Sequence, residues 1–218
     1  MEITYIGHSC FKIKNKNVTL VIDPYNEKIG YKLPDLEADI VLSTHDHSDH
    51  NNVKAVKNAS LVIDCAGEYE KSDVFIQGVE VFHDKTEGAD RGKNIIYEIY
   101  MDGVTVLHVG DLGHNLTQET LQKIGDVNVL MVPVGGKSTV DAKGASDVIS
   151  AVEPGIVIPM HYATKDLTGV EGLDPLDKFL DEMGIENGAK QKETLTLSSK
   201  SDIPEDTEVV VLDRKSVV

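Results

Sequence analysis

The chain has 218 residues, 40 % of them hydrophobic, and a formal net charge of −16 from 37 acidic and 21 basic side chains. That length suffices for a substantial core without disulfide staples, and the negative surplus repels polyanions, so no nucleic-acid partner is expected. No run approaches the roughly 18 apolar residues of a membrane span, and the opening MEITYIGHSC lacks the basic and long apolar regions of a signal peptide. A cytoplasmic protein without a membrane partner is the expectation, with Cys10 and Cys65 as reduced core residues.

The first half reads as short β-strands. EITYI (2–6) and CFKIK (10–14) flank the break Gly7-His8-Ser9, and NVTLVID (17–23) ends at Pro24. ADIVLSTH (38–45) is more continuously apolar and predicts a buried strand. LVIDC (61–65), DVFIQ (73–77) and VEVFH (79–83) follow, the last two parted by Gly78. NIIYEIYM (94–101) and VTVLHVG (104–110) are joined by Asp102-Gly103, the signature of a type I′ hairpin turn.

Strands then alternate with helices. NLTQETLQKI (115–124) predicts a helix capped by Asn115 with Gln118 at the reciprocal position. VNVLMVPVG (127–135) is a strand, and DAKGASDVISAVEP (141–154) a helix stopped by Pro154 and weakened by Gly144. GIVIPMHY (155–162) is a strand, and DPLDKFLDEMG (174–184) a helix opened by Asp174-Pro175 and closed by Gly184. KETLTLSS (192–199) and EVVVLDR (208–214) close the chain as two strands. No repeat or linker stands out, so one domain over residues 1–218 is expected, with two β-sheets face to face and helices outside.

Polar residues follow the apolar runs at telling places. His45, His83, Asp111 and His161 each stand at or just beyond the end of a strand-like run, and STHDHSDHNN (43–52) packs three histidines and two aspartates into six positions. Strand ends share a sheet rim, so residues far apart in sequence can meet there. His45 and His47, two apart on extended chain, point the same way and can grip one cation. A helical turn at NNVKAVKNA would aim Asp49 and His50 at a second, with Asp111 able to bridge. The candidate ligands are His45, His47, Asp49, His50, His83, Asp111 and His161. Imidazole and carboxylate suit Zn first, with Mn, Fe or Ni as alternatives. Two such cations can polarise a substrate oxygen and hold a bridging hydroxide at neutral pH.

His45-Asp46-His47-Ser48-Asp49-His50 resembles the HxHxDH signature of the metallo-β-lactamase superfamily. GHSCF, VIDP, HVGDLG and IPMHY fall in the order of its ascorbate-6-phosphate lactonase-like branch. The resemblance implies an αββα four-layer sandwich of mixed α/β class and a hydrolase with two divalent metal ions. It assigns His45, His47 and His83 to one ion and Asp49, His50 and His161 to the other, with Asp111 between. Asp49, which would orient the hydroxide, and His161 are the catalytic candidates.

His108, inside an apolar strand, is expected as a buried supporting histidine. Asp23, Asp46 and Thr44 are candidate acceptors for ligand N–H groups. His8 and His114 are left between pocket and surface, and Arg91 and Lys137 are anion contacts if they are not simply solvated. The substrate expected is a small lactone, ester or phosphoester, and a homo-oligomer is left open. The alternatives are a non-catalytic metal-containing binding protein, a nuclease and a di-iron oxidoreductase. The last is disfavoured because an acidic residue usually stands at the position of His47 in such proteins, which also work with a flavin domain. No G-x-S-x-G elbow is present, and Gly135-Gly136-Lys137-Ser138 lacks the first glycine of a phosphate loop, Met131 standing in its place.

Overall fold

A computed structural model describes residues 1–185 and 188–215. In chain order the strands of the first half are β1 (Glu2–Gly7), β2 (Cys10–Lys14), β3 (Thr19–Ile22), β4 (Leu36–Glu37), β5 (Ile40–Leu42), β6 (Val56–Lys57), β7 (Leu61–Ile63), β8 (Gly67–Lys71), β9 (Val74–Phe82), β10 (Lys93–Met101) and β11 (Val104–His108). Then come α1 (Gln118–Lys123), β12 (Val129–Pro133), α2 (Ala142–Val152), β13 (Ile156–Met160), α3 (Leu176–Glu182), β14 (Lys190–Lys192), β15 (Leu195–Thr196) and β16 (Glu208–Leu212). One sheet has six strands in the order β15-β1-β2-β3-β5-β7; the other has eight, β14-β16-β13-β12-β11-β10-β9-β8. β4 and β6 pair apart from both.

The period-two alternation of strands sorts the apolar residues into three layers. Ile13, Leu20 and Ile40 of the first sheet meet Tyr97, Val106, Met131 and Ile158 of the second in one inter-sheet core. Residues one step away, Ile96, Leu107, Leu130 and Val157, face outward and are covered by Ala145 and Val148 of α2 and Phe179 of α3. The outer face of the first sheet, with Val21 and Val41, is covered by Tyr25, Ile29, Tyr31 and Leu167 from loops and 3₁₀ turns. The expected mixed α/β sandwich is therefore present, but among the described residues its fourth layer holds no α-helix. Burial of each larger inward side chain, Phe11 or Ile13 for instance, stabilises the sandwich by about 1.5–3 kcal/mol.

Several local expectations need correction. β9 runs unbroken through Gly78, which pairs with Tyr97 on one side and Gly67 of β8 on the other; that edge strand was not anticipated. NNVKAVKNA forms one 3₁₀ turn, Val53–Ala55, and then β6, because its β-branched residues find a partner in β4. The first α-helix starts two residues later than its pattern suggests: Thr117, not Asn115, accepts from Thr120 N and caps it. Pro175 rather than Asp174 takes the cap position of α3. KETLTLSS splits, its first residue ending β14 beside β16 while Leu195–Thr196 joins β1 in the other sheet. Both cysteines are free, as expected, but Cys65 is exposed.

The strand directions build a rim. β1 and β3 are both antiparallel to β2, and β3 is parallel to β5, so the carboxyl ends of all three lie on one edge. In the other sheet β9, β11, β12 and β13 share a direction by the same reasoning. The two edges are laced together: His161 N donates to His8 O (2.9 Å), Ile95 N to Thr44 O (2.8 Å), and Tyr97 Oη to Ser43 O (3.1 Å).

Candidate metal centre

All seven residues singled out by sequence sit on this rim. His45 to His50 follow β5, His83 follows β9, Asp111 lies three residues past β11, and His161 follows β13. His50, His83, Asp111 and His161 are buried, whereas His45, His47 and Asp49 are partly open. Their donor atoms converge in overlapping groups: His45, His47 and His83; His8, Asp49, His50 and His161; and His45, His50 and Asp111. Within each group the atoms lie within 4.8 Å of one another. Asp111 joins the halves. Its Oδ1 is 3.3 Å from His50 Nε2, and its Oδ2 is 3.3 Å from His83 Nε2 and 3.2 Å from His161 Nε2.

Supporting hydrogen bonds decide which ring nitrogen faces inward. His50 Nδ1–H donates to Asp23 Oδ2 (2.9 Å), and His83 Nδ1–H to Ser138 O (3.1 Å). Thr44 Oγ1 donates to Asp23 Oδ2 (2.7 Å) and so accepts from His45 Nδ1–H (3.0 Å). In their neutral form these three rings are thereby left with Nε2 turned to the centre as the free acceptor. Nε2 of His45, His50 and His83 and Oδ1 of Asp111 are all buried without a hydrogen-bond partner. Buried polar atoms are rarely left so, and lone pairs aimed at one another are what a divalent cation would satisfy. The donor set fits such an ion in spacing as well. Ligands about 2.0–2.1 Å from a tetrahedral zinc stand about 3.3–3.4 Å apart, close to the separations around Asp111.

Electrostatics agree. Burial, then neighbouring His50, lowers His45 to about 3, and burial with His161 lowers His8 to about 4, so both rings are neutral and able to ligate. Burial pushes the Asp111 carboxyl up, but His161 and His50 outweigh it and hold the group well below its ordinary value. Asp49 is lowered too, burial being overcome by His8 and His50. His50 goes the other way: burial opposes its charge, yet Asp111 and Asp23 raise it well above the usual imidazole range. A cation binding at Nε2 must displace that proton.

The remaining candidates divide. His8, left open by sequence, lies in the site with its Nε2 3.2 Å from Asp49 Oδ2. His108 is buried beneath it, donating to Ser9 O (2.9 Å) and accepting from Gly110 N (3.1 Å), which is the supporting role expected. Asp46 is exposed and pairs with Asn51, so it is no acceptor for a ligand. His114 accepts from Phe82 N (3.1 Å) outside the groups. Asn94 went unrecognised: it accepts from Asp111 N (3.0 Å) and donates to Val109 O (2.9 Å). The signal available was one amide near the head of a largely apolar strand.

A cleft of about 410 Å³ opens over the centre, lined by His47, Asp49, Asp111 and His161, with Lys28, Arg91 and Lys137 at its mouth. Arg91 rides on the 84–91 loop, which looks loosely patterned in sequence but is organised by one carboxylate. Asp84 accepts from Thr86 N and Oγ1, Gly88 N, Asp90 N and Arg91 N at 2.7–3.1 Å. A larger hollow of about 700 Å³, around Met1, Lys14 and Asp102, has no histidine in its lining.

Two stacked sheets whose aligned strand ends present imidazoles and carboxylates to one cleft define the class: a metal-dependent hydrolase of the metallo-β-lactamase type. The chain belongs to the β-lactamase superfamily, whose domain profile matches residues 2–161. Within it the chain sides with the UPF0173 metal-dependent hydrolases. It is 28 % identical over 192 residues to one from Thermoplasma acidophilum, covering 77 % of this chain and 85 % of that one. It is also 37 % identical to a Thermotoga maritima protein grouped with the Zn-dependent hydrolases of the superfamily, with a TM-score of 0.79 over 97 % of both chains. CmlA, a diiron β-hydroxylase from Streptomyces venezuelae, is 15 % identical with a TM-score of 0.59 over 90 % of this chain and 53 % of that one, a likeness of fold alone.

Proposed function

We propose that residues 1–218 form one hydrolase domain in which His45, His47 and His83 hold one divalent cation and Asp49, His50 and His161 a second, with Asp111 shared. The substrate is a small lactone, ester or phosphoester bearing an anionic group. The observation that carries this reading is the set of buried, unpartnered Nε2 and Oδ1 atoms facing one another beneath the cleft. Zinc suits the donor set best, with Mn, Fe or Ni as alternatives. When bound, such cations supply Lewis acidity and bring water to a pKa of about 7.

The chain's own groups do the rest. Asp49, ionised and facing the cleft, accepts a hydrogen bond from the attacking water and so orients its proton toward the leaving oxygen. The water oxygen bonds to the carbonyl carbon or phosphorus, the bond to the leaving oxygen breaks, and that oxygen receives the proton. Asp111 holds His83 and His161 in register through Oδ2. Lys28, Arg91 and Lys137 at the mouth favour an anionic substrate; none of the three is in an ion pair among the described residues.

The test is metal analysis of protein purified without chelators, paired with a screen of lactones, thioesters and phosphodiesters under several added metals. We expect close to two equivalents of metal and turnover that disappears in the His45→Ala/Asp111→Ala double variant. Turnover surviving in that variant would falsify the mechanism.

A further inference from the structure

We infer that His8 is a further protein ligand of the cation held by Asp49, His50 and His161 with Asp111 shared, an inference that rests on the metal-centre reading above. The fold brings its ring to the other donors.

The backbone is bent to bring the ring in. Gly7 has φ 133° and His8 φ 58°, both in the left-handed region. A non-glycine residue persists there only when its surroundings over-determine it. Three contacts do so: His8 O accepts from Tyr5 Oη (2.9 Å) and from His161 N (2.9 Å), and Ser9 O accepts from His108 (2.9 Å). The ring that results is 1 % exposed and is not among the residues lining the cleft, so contact with substrate does not account for it.

His8 stands to Asp49 as His161 stands to Asp111. His8 Nε2 is 3.2 Å from Asp49 Oδ2, and His161 Nε2 is 3.2 Å from Asp111 Oδ2. In both rings the far nitrogen, Nδ1, is buried without a partner. Their centroids lie 4.2 Å apart, and His8 is 5.2 Å from His50. His8, Asp49, His50 and His161 each offer a donor atom within 4.8 Å of the others. With the shared Asp111 these donors would give that cation five protein ligands, the five-coordination to which zinc sites can expand. The competing role, an N–H that props Asp49, gives the same 3.2 Å distance and is what the experiment must separate from ligation.

The experiment uses the full chain, labelled with ¹⁵N-histidine and loaded with cadmium-113, whose scalar coupling to nitrogen passes only through a coordinate bond. Six coupled imidazoles are expected, the five of the proposed set plus His8, with one set lost in His8→Gln. Coupling at His50 and His161 but not at His8, five rings in all, overturns the inference and leaves His8 as a hydrogen-bond donor to Asp49. Cadmium that couples to no histidine brings down the metal-centre reading first. The wild-type count decides the matter even if His8→Gln does not fold.

Discussion

Asp23 shows how much one side chain outside the donor set can carry. It is wholly buried with φ 50°, and its two oxygens take Thr44 N, Thr44 Oγ1 and His50 Nδ1. Through Thr44 it also fixes His45, so a single carboxylate orients one ring of each proposed half-site. Asp23→Ala should weaken metal binding by roughly 10–100-fold, read by competition with a chelator of known affinity; unchanged affinity would remove Asp23 from this role. Titration gives a second prediction. In metal-free protein the folded chain holds His8 at about 4 and His45 at about 3, while in the unfolded chain both titrate near 6.5. Between those values the unfolded state binds more protons, so stability falls as pH drops. His50, raised in the folded state, is protonated in both states below about 6.5 and adds no slope there. The melting temperature of chelator-treated protein should fall steadily from about pH 6.5 to 4, less steeply in His8→Gln. At this scale the candidate donors were legible, because imidazoles and carboxylates clustered beyond apolar runs are rare without a purpose. The sequence could not separate Asp23 from Asp46, since one is enclosed and the other faces water.

Secondary-structure elements set the donors at their heights along the rim. The Asp102-Gly103 turn, with φ of 55° and 78°, fixes the register of β10 and β11, and with it the height of Asp111. β12 ends beside β13, and there the loop after β12 touches His161: a Cβ on Gly135 would lie 2.1 Å from His161 O. Backbone on backbone cannot yield cheaply, so Gly135→Ala should cost at least about 1–3 kcal/mol of stability and also lower the occupancy of the proposed second site. Denaturant melts and metal analysis of the same preparation check both parts; a variant with native stability and full metal content would contradict the contact. The main strands were legible because alternation and β-branching are local. Helix starts were less so: Asn115 and Thr117 are both competent caps, and only the packing of Thr120 and Leu121 selects the second. β8 escaped notice because GEYEK is polar, an edge strand held by backbone pairing with β9.

For the whole molecule, the site is a clasp between sheets. His8 and His45 to His50 come from the six-stranded sheet, and His83, Asp111 and His161 from the eight-stranded one. A ligand bound to the folded state alone stabilises it by mass action, so removal of metal should lower the melting temperature. Amide exchange should rise at residues 45–50, 83–92 and 111–113, while the β2–β3 turn at 15–17 and the β10–β11 turn at the far end stay unchanged. Uniform loosening of both ends, or none, would count against the clasp. By itself the sequence determined the class of fold and the chemistry of the donors, because period, turn residues and ligand types are properties of short segments. Only the tertiary structure decided that His8 joins the cluster, that Asp23 rather than Asp46 supports it, and that Asp111 touches both halves. Those outcomes depend on strand direction and on which of two polar groups is sealed from water, and neither exists until the sheets have stacked.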